Sequence, residues 1–262
     1  MHYALVALAS LGAALLTLFS GFGLGSLLLP VFAVFFPLPV AVAATAVVHL
    51  ANNVFKVGLL GRHARAGIVL RFGIPAALAA FAGAWLLTRL ARVPPIMSYT
   101  LGDKAHHVTL AGLVLGIMIA AFSLIELSPA FDRLRFERRR LSLGGALSGF
   151  FGGLSGHQGA LRAAFLAKAG LDRDAFLGTS VVCAVIVDVA RLTIYGASFF
   201  GQHVTAVAGS SDVRLVVVAT LAAFVGSFVG TRLIRKVTMR ALQRIIGVAM
   251  LFLGVAIATG LV

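Results

Sequence analysis

The sequence predicts an all-α polytopic membrane protein made of two inverted repeats, each a glycine-broken, re-entrant segment followed by three transmembrane helices. Three observations carry that prediction. Of 262 residues, 60% are hydrophobic and only 11% are charged, which is too little polar surface for a soluble globule of this length. Glycine-interrupted apolar segments open both halves, FSGFGLGSLLLP over residues 19–30 and SGFFGGLSGHQG over residues 148–159. Finally, the lysines and arginines fall mostly between apolar runs, where they read as topology signals facing anionic lipid rather than as a nucleic-acid surface.

The first apolar run, residues 3–36, would make a helix of about 50 Å, against a hydrocarbon core of about 30 Å. Each glycine inside a helix costs about 1 kcal/mol relative to alanine. Two helical pieces meeting over residues 20–25 are therefore expected. Such a break is tolerated in a bilayer only where protein or a water-filled cavity surrounds it, and half-helix N-termini there offer unpaired N–H groups to an anion. A glycine-rich packing seam is the plainer alternative. With no basic region ahead of it and no small-residue cleavage site, the run is expected to stay in the mature chain. Residues 3–19 could also cross alone, which leaves open whether this segment is re-entrant.

Pro37 and Pro39 mark a turn, and helices are expected over residues 40–60, 72–90 and 107–127. A basic loop with Arg62, Arg65 and Arg71 separates the first two, and a polar stretch over 91–106 the next two. The charged run DRLRFERRR, residues 132–140, is the linker between a first repeat (1–131) and a second (141–262). The second repeat begins with the broken segment 141–170 and continues with helices over 174–200, 213–234 and 241–262.

An offset of 135 places Ser20 on Ser155, Thr45 on Ser180, Asn53 on Asp188 and Lys56 on Arg191. Locally, FAGAWLLTRL (81–90) matches FVGSFVGTRL (224–233) at five positions in ten. The orientation of the repeats follows from charge. If both broken segments enter and leave on one side, fifteen basic loop residues share a face and four lie opposite; if every segment spans simply, the split is nine against ten and carries no signal. The positive-inside rule favours the former, with a cytoplasmic linker and external termini.

The second helix carries Thr45, His49, Asn52, Asn53 and Lys56 on one face. A charged side chain in lipid costs about 3 kcal/mol at mid-depth, so this stripe should face the bundle interior and line a cavity; interhelical bonding by the asparagines, with Lys56 snorkelling, is the alternative. Its counterpart in the second half has Ser180, Cys183 and Arg191 on one face, with Asp188 three residues before Arg191. Asp188 is either a proton-coupling carboxylate or half of a local ion pair. At the second break, His157, Gln158 and Arg162 replace Phe22, Gly23 and Leu27 of the first, bringing a switchable proton site, an amide and a fixed cationic fork. The candidate anion-binding set is thus Ser20, Gly21, Gly23, Thr45, His49, Asn52, Asn53, Lys56, Ser155, Gly156, His157, Gln158, Gly159, Arg162, Ser180 and Arg191, with His157 and Asp188 the candidates for proton coupling.

The single cysteine, Cys183, excludes a disulfide framework within the chain, and the seven histidines show no metal-ligand spacing. No metal or cofactor is expected, and no nucleophile–base pair marks an enzyme. The paired elements GFGLGSLLLP (21–30) and GHQGALRAAF (156–165) resemble the G-x-G-G-G-x-x-x-x-P motif of the TauE/SafE sulfite exporter family, also called the toluenesulfonate uptake permease family. That resemblance implies secondary transport of a small sulfur-containing or organic anion such as sulfite, a sulfonate or sulfoacetate across a bacterial inner membrane; export is the expected direction, and proton coupling is expected from His157 or Asp188. Its expected partners are the anion and the lipid bilayer, with no nucleic acid and a homodimer left open. A passive anion channel is the alternative. The chain departs from the motif where Leu24 interrupts the first glycine run, His157–Gln158 replaces glycines and Phe165 stands for the proline.

Overall fold

The structure, a computed structural model, describes residues 2–20, 24–128, 136–200, 211–233 and 239–261. Its elements are α1 (His2–Ser20), α2 (Leu24–Ala33), α3 (Leu38–Leu60), α4 (Ala66–Leu90), a hairpin of β1 (Met97–Leu101) and β2 (Lys104–Val108), α5 (Leu110–Leu127), α6 (Leu141–Ser155), α7 (Gly159–Leu166), α8 (Arg173–Tyr195), α9 (Ser211–Leu233) and α10 (Met239–Thr259). Among the described residues, four helical stretches are long and apolar enough to cross a membrane: Leu38–His63, Ala66–Leu90, Arg173–Ser198 and Val213–Gly230. Large apolar side chains point outward along this bundle, among them Leu8, Leu78, Trp85, Leu221 and Phe252. That is the surface a bilayer, rather than water, would cover.

The second of the two expected breaks coincides with helix ends, and the first falls on residues 21–23, outside the described residues. In the first half α1 stops at Ser20 and α2 starts at Leu24. In the second, α6 stops at Ser155, Gly156 turns the chain in the left-handed region at φ 86°, and α7 starts at Gly159. Glycine is needed at that turn, because a side chain in this conformation is strained and a Cβ there would also lie 2.8 Å from Arg191 Nη1. At 15 and 8 residues, α6 and α7 reach about 22 and 12 Å, neither a full crossing.

Packing between the halves keeps its pattern when their helices are exchanged in order. Helix α6 lies along α4 as α1 lies along α9; α8 also meets α4 as α3 meets α9; α5 pairs with α10, and α3 with α8. Glycines make the closest of these crossings. Gly83 of α4 faces the carbonyl of Phe150 in α6, and its counterpart in the local repeat, Gly226 of α9, faces the carbonyl of Leu11 in α1. A Cβ on Gly116 of α5 would meet the carbonyl of Gly254 in α10, and one on Gly254 would meet that of Gly116. Small residues let backbones approach where hydrophobic burial supplies little drive between helices in lipid.

Two boundaries differ from expectation. Helix α4 begins at Ala66, so Arg71 lies within its first turns, exposed; a long cationic side chain reaches the polar boundary from inside a helix. Residues 97–108 form an antiparallel hairpin turned at Gly102, whose φ of 62° suits a two-residue Gly-Asp loop, and α5 starts only at Leu110, where the Thr109 hydroxyl caps the Gly112 N–H at 3.0 Å. The hairpin is held on the end of α10: Tyr99 Oη donates to the Thr259 carbonyl at 2.8 Å, and His106 Nδ1 donates to that of Gly260 at 3.1 Å.

Candidate functional site

Helices α3 and α8 cross with their polar faces together, and the α6–α7 break closes against them. The stripe of α3 is buried throughout: Thr45, His49, Asn52, Asn53 and Lys56 are each at most 6% exposed. Opposite them on α8 are Ser180, Asp188 and Arg191, and from the break come Ser155, His157, Gln158 and Arg162, all at most 5% exposed.

Asp188 is the hub. Its Oδ1 accepts from Arg191 Nη2 at 2.7 Å and from Gln158 Nε2 at 3.1 Å, while Oδ2 faces His49 Nδ1 at 2.7 Å and accepts from Asn53 Nδ2 at 3.0 Å. Four donors occupy the lone-pair directions of one carboxylate, the condition under which a buried charge is held without large cost. Arg191 also reaches the Gly152 carbonyl at 3.4 Å. Asn53 and Asp188 are the pair that the repeat offset superimposes, and here they touch.

A second cluster surrounds Arg162. Its Nε donates to Ser180 Oγ at 2.8 Å and its Nη1 to Gln158 Oε1 at 2.9 Å, which sets the plane of the guanidinium. Gln158 thereby joins the clusters through the two ends of one amide, and its backbone carbonyl accepts from Ser148 Oγ at 2.9 Å. It is also the N-cap of α7 and makes no side-chain cap bond, so the first N–H groups of that helix, beginning with Gly159, keep no intrahelical partner in a buried setting. His157 stacks on Phe122 of α5, and its Nδ1 lies 3.1 Å from Ser155 Oγ. His157 Nε2 and Thr45 Oγ1 are buried and have no hydrogen-bond partner among the described residues.

Lys56 has its own anchor. With the Asn52 amide turned so that its nitrogen donates to the Ala223 carbonyl, its oxygen accepts from Lys56 Nζ at 3.2 Å, and Ser227 of α9 sits on the same amide. Of the buried side chains described at this crossing, Lys56, Arg162 and Arg191 are basic and Asp188 is the carboxylate, three basic groups to one acid.

The structure therefore brings together His49, Asn52, Asn53, Lys56, Ser155, Gly156, His157, Gln158, Gly159, Arg162, Ser180, Asp188 and Arg191. Thr45 is on the same face, but its hydroxyl hydrogen-bonds to none of these groups. Ser20 ends α1, with its side chain outside the described residues, and Gly21 and Gly23 lie outside them altogether. Ser148, Ser227, Phe122 and Tyr195, whose hydroxyl donates to the Gly153 carbonyl, are supporting residues that sequence patterning missed. Ser148 alone carried a signal, since it opens the glycine-rich element itself.

A polytopic helical membrane protein with a buried, cation-rich crossing beside a broken helix has the makings of a membrane transporter. Residues 6–257 match the family model described as Sulfite exporter TauE/SafE, and the chain belongs to that family of membrane transporters. No curated protein and no solved structure matches it.

Proposed function

We propose that the chain is a proton-coupled secondary transporter that exports a small sulfur-containing or organic anion, such as sulfite, a sulfonate or sulfoacetate, across a bacterial inner membrane. The observation that carries this reading is the excess of buried basic over acidic side chains at the α3–α8 crossing, three to one, next to an uncapped helix N-terminus. An intramembrane charge is expensive enough to be kept for function. An arriving oxyanion meets the Arg162 fork, the Lys56 ammonium and the α7 N–H groups, and it neutralises the excess. His157 and Asp188 are the proton groups the sequence offers beside that site.

The reading includes two inverted repeats, residues 1–131 and 141–262, joined by a cytoplasmic linker over 132–140. Support comes from the packing, which keeps its pattern when the halves are exchanged, from the reciprocal Gly116–Gly254 contact, and from the meeting of the repeat equivalents Asn53 and Asp188, as equivalents do beside a pseudo-twofold axis. Broken helices at a repeat interface are where secondary transporters bind their substrates. Proteoliposomes loaded with radiolabelled sulfite test it: a proton gradient should drive sulfite against its own gradient. Flux that only dissipates the sulfite gradient would make the protein a channel.

A further inference from the structure

The 2.7 Å contact between His49 Nδ1 and Asp188 Oδ2 lies outside the group of Arg162, Lys56 and the α7 N–H groups to which the anion is assigned above. At that distance a proton must lie between the two atoms; because Asp188 already accepts from Asn53, Gln158 and Arg191, we place it on Nδ1 as the donor. An added proton then goes to Nε2 and makes an imidazolium whose carboxylate partner is already in place. His157 lacks this. Its contacts are the Ser155 hydroxyl and the Phe122 ring, and a buried imidazole that charges without an opposite charge nearby is strongly disfavoured.

We propose that the proton coupled to transport is carried by His49, with Asp188 as its counter-ion, and that Gln158 transmits the charge of this pair to Arg162; the proposal rests on the proton-coupled reading above. Gln158 is suited to this because Nε2 donates to Asp188 Oδ1 at 3.1 Å while Oε1 accepts from Arg162 Nη1 at 2.9 Å. A shift of negative charge on Asp188 toward a charged His49 loosens the first bond, and the same amide then turns against Arg162 and the N-terminus of α7. The proton enters from the side where the anion is loaded and leaves His49 Nε2 on the other. The charged and titratable groups around the pair are Lys56 on α3; Cys183, Arg191 and Tyr195 on α8; and His157 and Arg162 from the break. Helix α4 adds only the exposed Arg71 and Arg89, α9 only the exposed Arg214 among its described side chains, and α2 no charged residue. Of all these, His49 alone pairs an ionisable imidazole with a carboxylate.

The test is thiosulfate affinity of the purified full chain between about pH 5 and 8, the range in which imidazoles titrate. Thiosulfate keeps its charge across that range. Affinity of the unmodified protein should rise as pH falls, by at most about tenfold per pH unit for one linked proton. His49→Asn keeps a neutral donor at the position of Nδ1 but has no second nitrogen; compared within a Lys56→Gln background, which removes the buried amine from the comparison, its pH slope should vanish whatever its absolute affinity. His49→Gln serves if that variant does not fold. Gln158→Met should flatten the slope with both proton groups intact. A sloped profile retained in both His49 variants overturns this assignment alone, and a flat profile in the unmodified protein overturns proton coupling as well.

Discussion

The two glycine-rich segments are matched by the sequence offset of 135, yet only the second carries polar side chains equipped for chemistry. At matching positions the first has Phe22, Gly23 and Leu27 and the second has His157, Gln158 and Arg162. The partner helices diverge as well. Helix α3 brings neutral donors and one ammonium; α8 brings the carboxylate and a second guanidinium. Thr45 and Ser180 show the consequence in miniature. They are repeat equivalents, but Ser180 accepts a bond from Arg162 at 2.8 Å, while Thr45 Oγ1 has no partner among the described residues. Of two glycine-rich segments matched by one offset, one is built into a charged site and the other is largely apolar in sequence.

The largest effect should come from Arg162. In Arg162→Gln, thiosulfate or sulfite affinity should fall about 30-fold or more, the scale of losing one partner of a buried charge contact, and Arg162→Lys should recover only part of it because a point charge cannot replace a planar fork. Equilibrium binding on purified protein reads both, and an Arg162→Gln variant that binds normally would remove the asymmetry on which the comparison stands. Next is Asp188→Asn. Removing the carboxylate leaves Arg191 buried beside an amide, so thermal unfolding should report a loss of about 3–5 kcal/mol, even without substrate. Ser180→Ala, which takes one neutral bond from Arg162, should weaken binding only about fivefold, near 1 kcal/mol. Thr45→Val, the same deletion in the other half, should stay within about 0.5 kcal/mol in stability and leave binding unchanged. Equal losses for Ser180 and Thr45 would mean that both halves hold the anion.

How much of this could be read in the chain varies by residue. The α3 stripe was legible because its five polar positions repeat at helical spacing in an apolar run, and the structure buries all five. The second break was legible from glycine density, and its turn falls on Gly156. Long-range partners were not legible. Nothing in local periodicity says that Ser227 will meet Asn52 or that His49 will meet Asp188 across the molecule, and only the offset pairing Asn53 with Asp188 hinted at the α3–α8 crossing. The hairpin over 97–108 was passed over because its two strands are short and mostly polar; the Gly102–Asp103 dipeptide between them was the signal to use. Arg71 misled in the other direction, since a charge inside the sequence of α4 reads as loop although a helix can carry it to the membrane boundary.

The central claim is that the anion sits at the second break and not the first. Selenate, a tetrahedral oxyanion whose selenium scatters anomalously, can locate it directly in crystals of the protein. One anomalous peak is expected within hydrogen-bonding reach of the Arg162 guanidinium and the Gly159 N–H, beside Lys56. A peak between Ser20 and Leu24 at the first break, with none at Arg162, would contradict it.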